Sequence, residues 1–178
     1  MNKILTLVIG LFFLNSYSFS QDLLGMKIPE PDFPFEPMLL DSNNHLTPLP
    51  QEHYEILQTG GFTEIEVDYR MKTPNSSFII NKSKSINLIV KQGLINGSVT
   101  NVKDIYYLYK AKIVFKKERR VTAMKVKANV TKMEDGLDIV YKKIKDDIFL
   151  LTLNIPEPGE YVIVATVTKT NIFSFSVR

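Results

Sequence analysis

From Gly60 to the chain end, apolar side chains recur at every second position, and no ten-residue segment carries a competing helical period. Period two places alternate side chains on opposite faces of a pleated strand, so this alternation limits the fold more than any other feature of the chain. In "FTEIEVDYRM", Ile65, Val67, Tyr69 and Met71 share one face, and Glu64, Glu66, Asp68 and Arg70 share the other. "SFII" and "SINLIVK" follow across the polar turn "NKSKS", and Asn96-Gly97 in "GLINGS" is a tight-turn signal. "DIYYLYKAKIVFK" and "VTAMKVKANVTK" read as two paired strands around the charged turn "KERR". "LDIVYKKI", "IFLLTLNI", "EYVIVATVT" and "IFSFSVR" bring the total to eight or nine short strands. The pattern predicts an all-β, antiparallel β-sandwich over Gly60–Arg178.

The residues before this unit read differently. "MNKILTLVIGLFFLNSYSFSQ" has a basic start at Lys3, an apolar run of 11 residues from Ile4 to Leu14, and small residues at Ser18 and Ser20. Residues 1–20 are therefore expected to be a secretory signal peptide, the apolar run being far short of the ~20 residues of a membrane-spanning helix. Export to a periplasmic or extracellular location follows, with no transmembrane segment in the mature chain. Residues 21–59 are expected to form an acidic, proline-rich, extended arm. Pro29, Pro31, Pro34 and Pro37 each fix φ and remove a backbone donor, which disfavours helix and central strand. Phe33, Phe35, Met38, Leu39 and Leu40 are too apolar for a solvated linker, so they dock either on the domain or on a partner. "PQEHYEIL", Pro50 to Leu57, reads as one or two helical turns.

The chain has no cysteine, which removes disulfides, thiolate metal sites and cysteine nucleophiles together. An exported domain of this size without disulfides must rest on its hydrophobic core and fits a bacterial envelope better than an animal secretome. Four Asn-x-Ser/Thr sequons, at Asn75, Asn81, Asn96 and Asn129, match chance in a chain rich in Asn, Ser and Thr.

Charge is strongly segregated. Residues 21–68 hold ten acidic side chains and one basic, residues 69–133 hold two and fifteen, and residues 134–178 hold seven and five. If Tyr107, Tyr109, Ile113 and Phe115 point inward, Lys110, Lys112 and Lys116 point outward, and Lys125 and Lys127 do the same on the next strand. Five lysines would then share one face, with Lys117, Arg119 and Arg120 at the tip. Like charges on adjacent strands repel, so an anionic partner is expected there: the acidic arm, an anionic glycan or lipid surface, or an acidic envelope protein. The bland alternative is a solvated face whose lysines discourage edge-to-edge pairing.

Catalytic chemistry finds little support. His45 and His53 are the chain's two histidines, and Gly-x-Ser-x-Gly, His-Glu-x-x-His and phosphate-binding glycine loops are missing. "EDGLD" and "KDD" lack the ligand spacing of a calcium loop, and Asp135-Gly136 reads as a hairpin turn. No cofactor, metal or catalytic residue is expected. Tyr106, Tyr107, Tyr109 and Phe115 lie among lysines as stacking platforms do, but the alternation assigns most of them to the core, so nucleic acid is not expected as a partner.

The segment "LxLxIPEPGEYxIxA", Leu151 to Ala165, resembles the penultimate-strand corner of immunoglobulin-like sandwiches. The resemblance covers about 20 residues around Pro-Gly-Glu-Tyr and implies that Tyr161 reaches back to a backbone group at the corner. The cysteine pair and core tryptophan of antibody domains are lacking, so the resemblance implies a bacterial, cysteine-free version. The same segment is similar to the C-terminal sorting domains of type IX secretion cargo. It departs from them in having no Pro-Asn-Pro element, no mid-domain glycine signature and no lysine-rich finish. The expected function is binding or assembly in a bacterial envelope through surface recognition. The alternatives are a type IX-like cargo or sorting domain, or a glycan- or anionic-surface-binding adhesion module.

Overall fold

A computed structural model describes residues 28–61, 64–82, 85–127, 130–133, 136–155, 157–167 and 170–178. Within 123–127 and 130–133 it describes the backbone and, of the side chains, that of Lys125. The signal-peptide residues 1–20 lie outside the described residues. The strands are β1 (Met38–Leu40), β2 (Leu46–Pro48), β3 (Glu55–Gly60), β4 (Glu64–Met71), β5 (Ile79–Ile80), β6 (Ile86–Lys91), β7 (Leu94–Ile95) and β8 (Ser98–Val99). A short 3-10 turn, Val102–Asp104, precedes β9 (Tyr106–Lys110), β10 (Lys112–Val114), β11 (Glu118–Lys127) and β12 (Val130–Met133). Then come β13 (Ile139–Lys143), β14 (Ile148–Leu153), β15 (Gly159–Thr166) and β16 (Thr170–Val177). Among the described residues the fold is all-β, as the alternation predicts, and every strand pairing there is antiparallel except β5 with β16.

The strands form three main sheets and a small hairpin. The first sheet runs β13-β14-β6-β1-β2, the middle sheet β5-β16-β15-β9, and the third β10-β11-β4-β3 with β12 on β11; β7 and β8 pair by themselves. The middle sheet is covered on both faces. Tyr161, Ile163 and Ala165 of β15, with Phe173, Phe175 and Val177 of β16, pack against Leu88 and Val90 of β6 and Leu151 and Leu153 of β14. On the opposite face, Val162, Val164 and Ile172 meet Met71 of β4 and Val121 of β11. This double burial explains why "YVIVA" is apolar without interruption, as a strand covered on both faces requires. Each fully buried Leu, Ile or Phe contributes about 1.5–3 kcal/mol relative to exposure.

A polar stripe crosses the second interface. Cross-strand pairing sets Glu160 beside Ser176, and Val162 beside Ser174. Glu160, Ser174 and Ser176 are buried, and so is Arg119 of β11, which has 0% of its side chain exposed. Arg119 Nε donates to the Thr73 carbonyl at 3.0 Å, and Nη2 donates to Glu52 Oε1 and Thr73 Oγ1, each at 2.9 Å. Its Nη1 lies 3.8 Å from Glu160 Oε2. Glu160 accepts from the Ser76 amide at 2.7 Å, and from the Ser176 hydroxyl and Arg178 Nη2 at 2.6 Å each. The sequence reading placed Arg119 at a solvated hairpin tip. In the structure it is the most deeply buried cation described, because it pairs across the strands with Met71 and so faces the middle sheet.

The residues expected to form an extended arm, described from residue 28 of the expected 21–59, dock on the domain and are built into all three layers. β1 pairs with β6 and β2 in the first sheet. The Phe35 amide donates to the Lys91 carbonyl at 2.8 Å, and its ring lies over Gly93, where an added Cβ would come within 2.7 Å of it. Residues 49–52 line the edge of β16: Leu49 is buried, Ser174 N donates to the Pro50 carbonyl, and Glu52 N donates to the Ile172 carbonyl. β3 then joins the third sheet beside β4. The helical turn expected over Pro50–Leu57 is absent. Pairing with β16 and β4 satisfies that backbone in an extended form, and the boundary expected at residue 60 falls at the end of β3.

The Tyr161 hydroxyl donates to the Glu157 carbonyl at 2.6 Å, four residues back, with the ring buried and stacked at 5.7 Å on Phe175. The expected reach of this tyrosine to its corner is thus met. Removing that bond by Tyr161→Phe should lower the unfolding free energy by about 1 kcal/mol, measured by urea denaturation; an unchanged midpoint would show that the bond contributes nothing.

Candidate functional site: the cationic β10–β11 hairpin

The hairpin begins where the chain changes sheets. β9 pairs with β15 through Lys110, and the Ala111 amide donates to the Glu160 carbonyl at 2.8 Å. One residue later β10 pairs with β11 in the third sheet, with Lys112 opposite Arg120, Ile113 opposite Arg119 and Val114 opposite Glu118. The turn closes through Lys117 N donating to the Val114 carbonyl at 3.1 Å. Its two central residues, Phe115 and Lys116, have φ of 53° and 56°. Positive φ at both central positions is the geometry that normally selects Asn-Gly, and a bulky side chain is disfavoured there.

This path corrects the expected five-lysine face. "DIYYLYKAKIVFK" keeps one parity through Ala111, yet it supplies two strands in two sheets. Lys110 stays in the middle sheet and pairs with Glu157. Lys112 lies in the third sheet, and Lys116 sits exposed in the turn. Lys125 lies opposite Glu66, with Nζ 3.3 Å from its carboxylate. Lys127 is opposite Glu64 in register, and its side chain lies outside the described residues. Lys110 and Lys112 do meet at a cleft of about 230 Å³ between the two sheets, which Tyr109, Arg120, Thr122 and Leu137 also line.

The arm anchors separate as well. Phe35 and Leu39 pack against the first core, Leu40 is half-buried in β1, and Phe33 is exposed. Ile113 and Phe115, assigned to the core by alternation, are 52% and 82% exposed. Beyond Ala111 the chain enters the outermost strand of the third sheet and its turn, at the margin of that layer. The signal for this was present in "FKKERR", where a polar turn directly follows the two apolar residues. Both histidines are exposed, and His45 meets Asp41 at 3.5 Å in the β1–β2 turn. The expected Asp135-Gly136 turn falls partly outside the described residues.

The segregated charges find one another within the chain. Glu30 bridges Lys91 at 2.9 Å and Lys145 at 3.0 Å, and Glu55 meets Lys72 at 2.5 Å and Arg70 at 3.5 Å. Glu118 lies between Arg120, whose Nε donates at 2.6 Å, and Arg70. Lys112, Lys116 and Lys117 meet no carboxylate among the described residues.

These pairings set the direction of titration. Hydrogen bonds from Lys91 and then Lys145 hold the Glu30 carboxyl below its ordinary value, and Lys72 does so for Glu55. Burial pushes Glu118 upward, but hydrogen bonds from Arg120 and Arg70 outweigh it and leave the group lowered. Lys110 lowers Glu157 and is itself raised by it. Burial pushes the Tyr141 hydroxyl up to about 12.

No family model, no curated protein and no solved structure matches this chain. The residues above therefore carry the functional reading by themselves.

Carboxyls with depressed folded values stabilise the fold fully above their unfolded value, 4.5 for glutamate, and lose that contribution as pH falls through the folded values. The urea midpoint should therefore hold steady from neutral pH to about pH 5 and fall below it. Glu118→Gln should flatten the acid limb more than Glu30→Gln, whose exposed pair is screened by solvent. A midpoint constant down to pH 3 would contradict these pairings.

Proposed function

We propose that this chain is an exported, non-enzymatic binding or assembly protein of a bacterial cell envelope, acting by surface recognition through the β10–β11 hairpin. The observation that carries this reading is a group of cations clustered on one hairpin. The acidic N-terminal residues neutralise Arg119, Lys91, Lys72 and Arg70 within the chain, whereas Lys112, Lys116 and Lys117 project from one hairpin without carboxylate partners among the described residues. Lys112 stands opposite Arg120, whose guanidinium Glu118 already meets, so a bound anion would find Lys112 and the turn lysines still available. Export is supported by the signal-peptide pattern of residues 1–20. The facing first and middle sheets with the Tyr161 corner support an immunoglobulin-like ancestry for that part of the fold. The partner class is an anionic glycan or lipid surface, or an acidic envelope protein. The function needs no cofactor.

Lys112→Glu/Lys116→Glu/Lys117→Glu in the mature chain tests this. Each lysine near an anionic surface contributes about 1 kcal/mol, so binding to isolated envelope membranes or immobilised anionic polysaccharide should weaken about a hundredfold or more. The thermal midpoint should stay unchanged, and wild-type binding should fall as salt rises. Equal binding by the folded variant would overturn the reading.

A further inference from the structure

We propose that the β10–β11 hairpin is a lipid-contact element: Phe115 and Ile113 enter the headgroup–acyl boundary of an anionic bilayer while Lys112, Lys116 and Lys117 meet lipid phosphates. The inference rests on the surface-recognition reading and names the surface.

Ile113 lies on β10 and Phe115 opens the turn two residues on, and both side chains are exposed. Phe115 is the most exposed large apolar side chain among the described residues, at 82%, and Ile113 is 52% exposed. Lysines flank them in sequence: Lys112 before Ile113, and Lys116 and Lys117 after Phe115. The turn adds a second observation. Phe115 and Lys116 occupy left-handed backbone positions that Asn-Gly would fill without strain, and the sequence keeps an aromatic and a cation there instead. Backbone strain of this kind persists where the surrounding structure holds it, and it clusters at functional tips.

The chemistry selects lipid over a soluble polyanion. A sulfated or carboxylated glycan would engage the ammonium groups alone and leave the phenyl and sec-butyl groups in water. At a bilayer surface the apolar pair leaves water while the lysine stems extend along the interface and keep their charged heads at the phosphates. One aromatic and one aliphatic side chain anchor weakly by themselves, so attachment requires anionic lipid as well.

The chain contains no tryptophan, so Phe115→Trp places a single reporter at the tip. With the mature chain, mixed phosphatidylglycerol/phosphatidylcholine vesicles should shift its emission to the blue, and bromine-labelled acyl chains should quench it. Pure phosphatidylcholine vesicles and dextran sulfate should do neither. Phe115→Ser should bind the anionic vesicles about tenfold more weakly, with dextran sulfate binding unchanged. If the vesicles bind while Trp emission and Phe115→Ser affinity stay unaltered, lipid insertion is wrong and the cationic reading survives. Binding to dextran sulfate without binding to vesicles points to a polyanion and likewise overturns insertion. Binding to neither removes both.

Discussion

Arg119 lies without solvent access between the middle and third sheets, where an ionised side chain costs several kcal/mol unless partners meet it. Its partners come from three separate stretches of chain: Glu52 before β3, Thr73 after β4, and Glu160 at the start of β15. Glu160 extends the cluster to Ser76, Ser176 and Arg178. The third sheet, the β4–β5 connection and the N-terminal segment must therefore all arrive before the charge is satisfied. Apolar contacts around Met71, Val121 and Val162 supply adhesion, and the buried ions make the arrangement specific.

That cluster is one instance of a wider pairing between the segregated charges of the sequence. Carboxylates of the N-terminal third fold back onto cations of the middle third, as Glu30, Glu52, Glu55 and Glu66 show. Once Ala111 carries the strand out of the middle sheet, β10 and the turn after it meet none of those carboxylates among the described residues, although β11 itself does through Arg119 and Lys125. Lys112, Lys116, Lys117, Ile113 and Phe115 stay exposed there.

Much of the fold was legible from residues. The alternation of Ile65, Val67, Tyr69 and Met71 marked β4, Asn96-Gly97 marked the β7–β8 turn with φ of 50° and 79°, and Tyr161 marked its own corner. Three features were not legible, each for a physical reason. Parity runs unbroken through Tyr107, Tyr109, Ala111, Ile113 and Phe115, so period two cannot reveal a change of sheet that needs no proline or glycine. Ser174 and Ser176 alternate with phenylalanine like a solvated face, yet a second layer covers them and Glu160 and Ser76 satisfy them. Pro34 and Pro37 read as an arm because they lack donors, but they flank β1 and leave its own donors free to pair with β6. Of the candidate site, the lysines were visible in the sequence, whereas their division between two sheets and the exposure of Phe115 depend on long-range packing.

The most direct test of this account is the unfolding free energy of Arg119→Met, read together with hydrogen exchange of the Glu52 and Ser174 amides. The expected result is a loss of about 3 kcal/mol or more, because Glu160 and Glu52 keep their charges without the guanidinium. Both amides should lose protection, since they bind the N-terminal segment to β16. A variant as stable as the wild type, with both amides still protected, would contradict the claim that this buried ion cluster closes the fold.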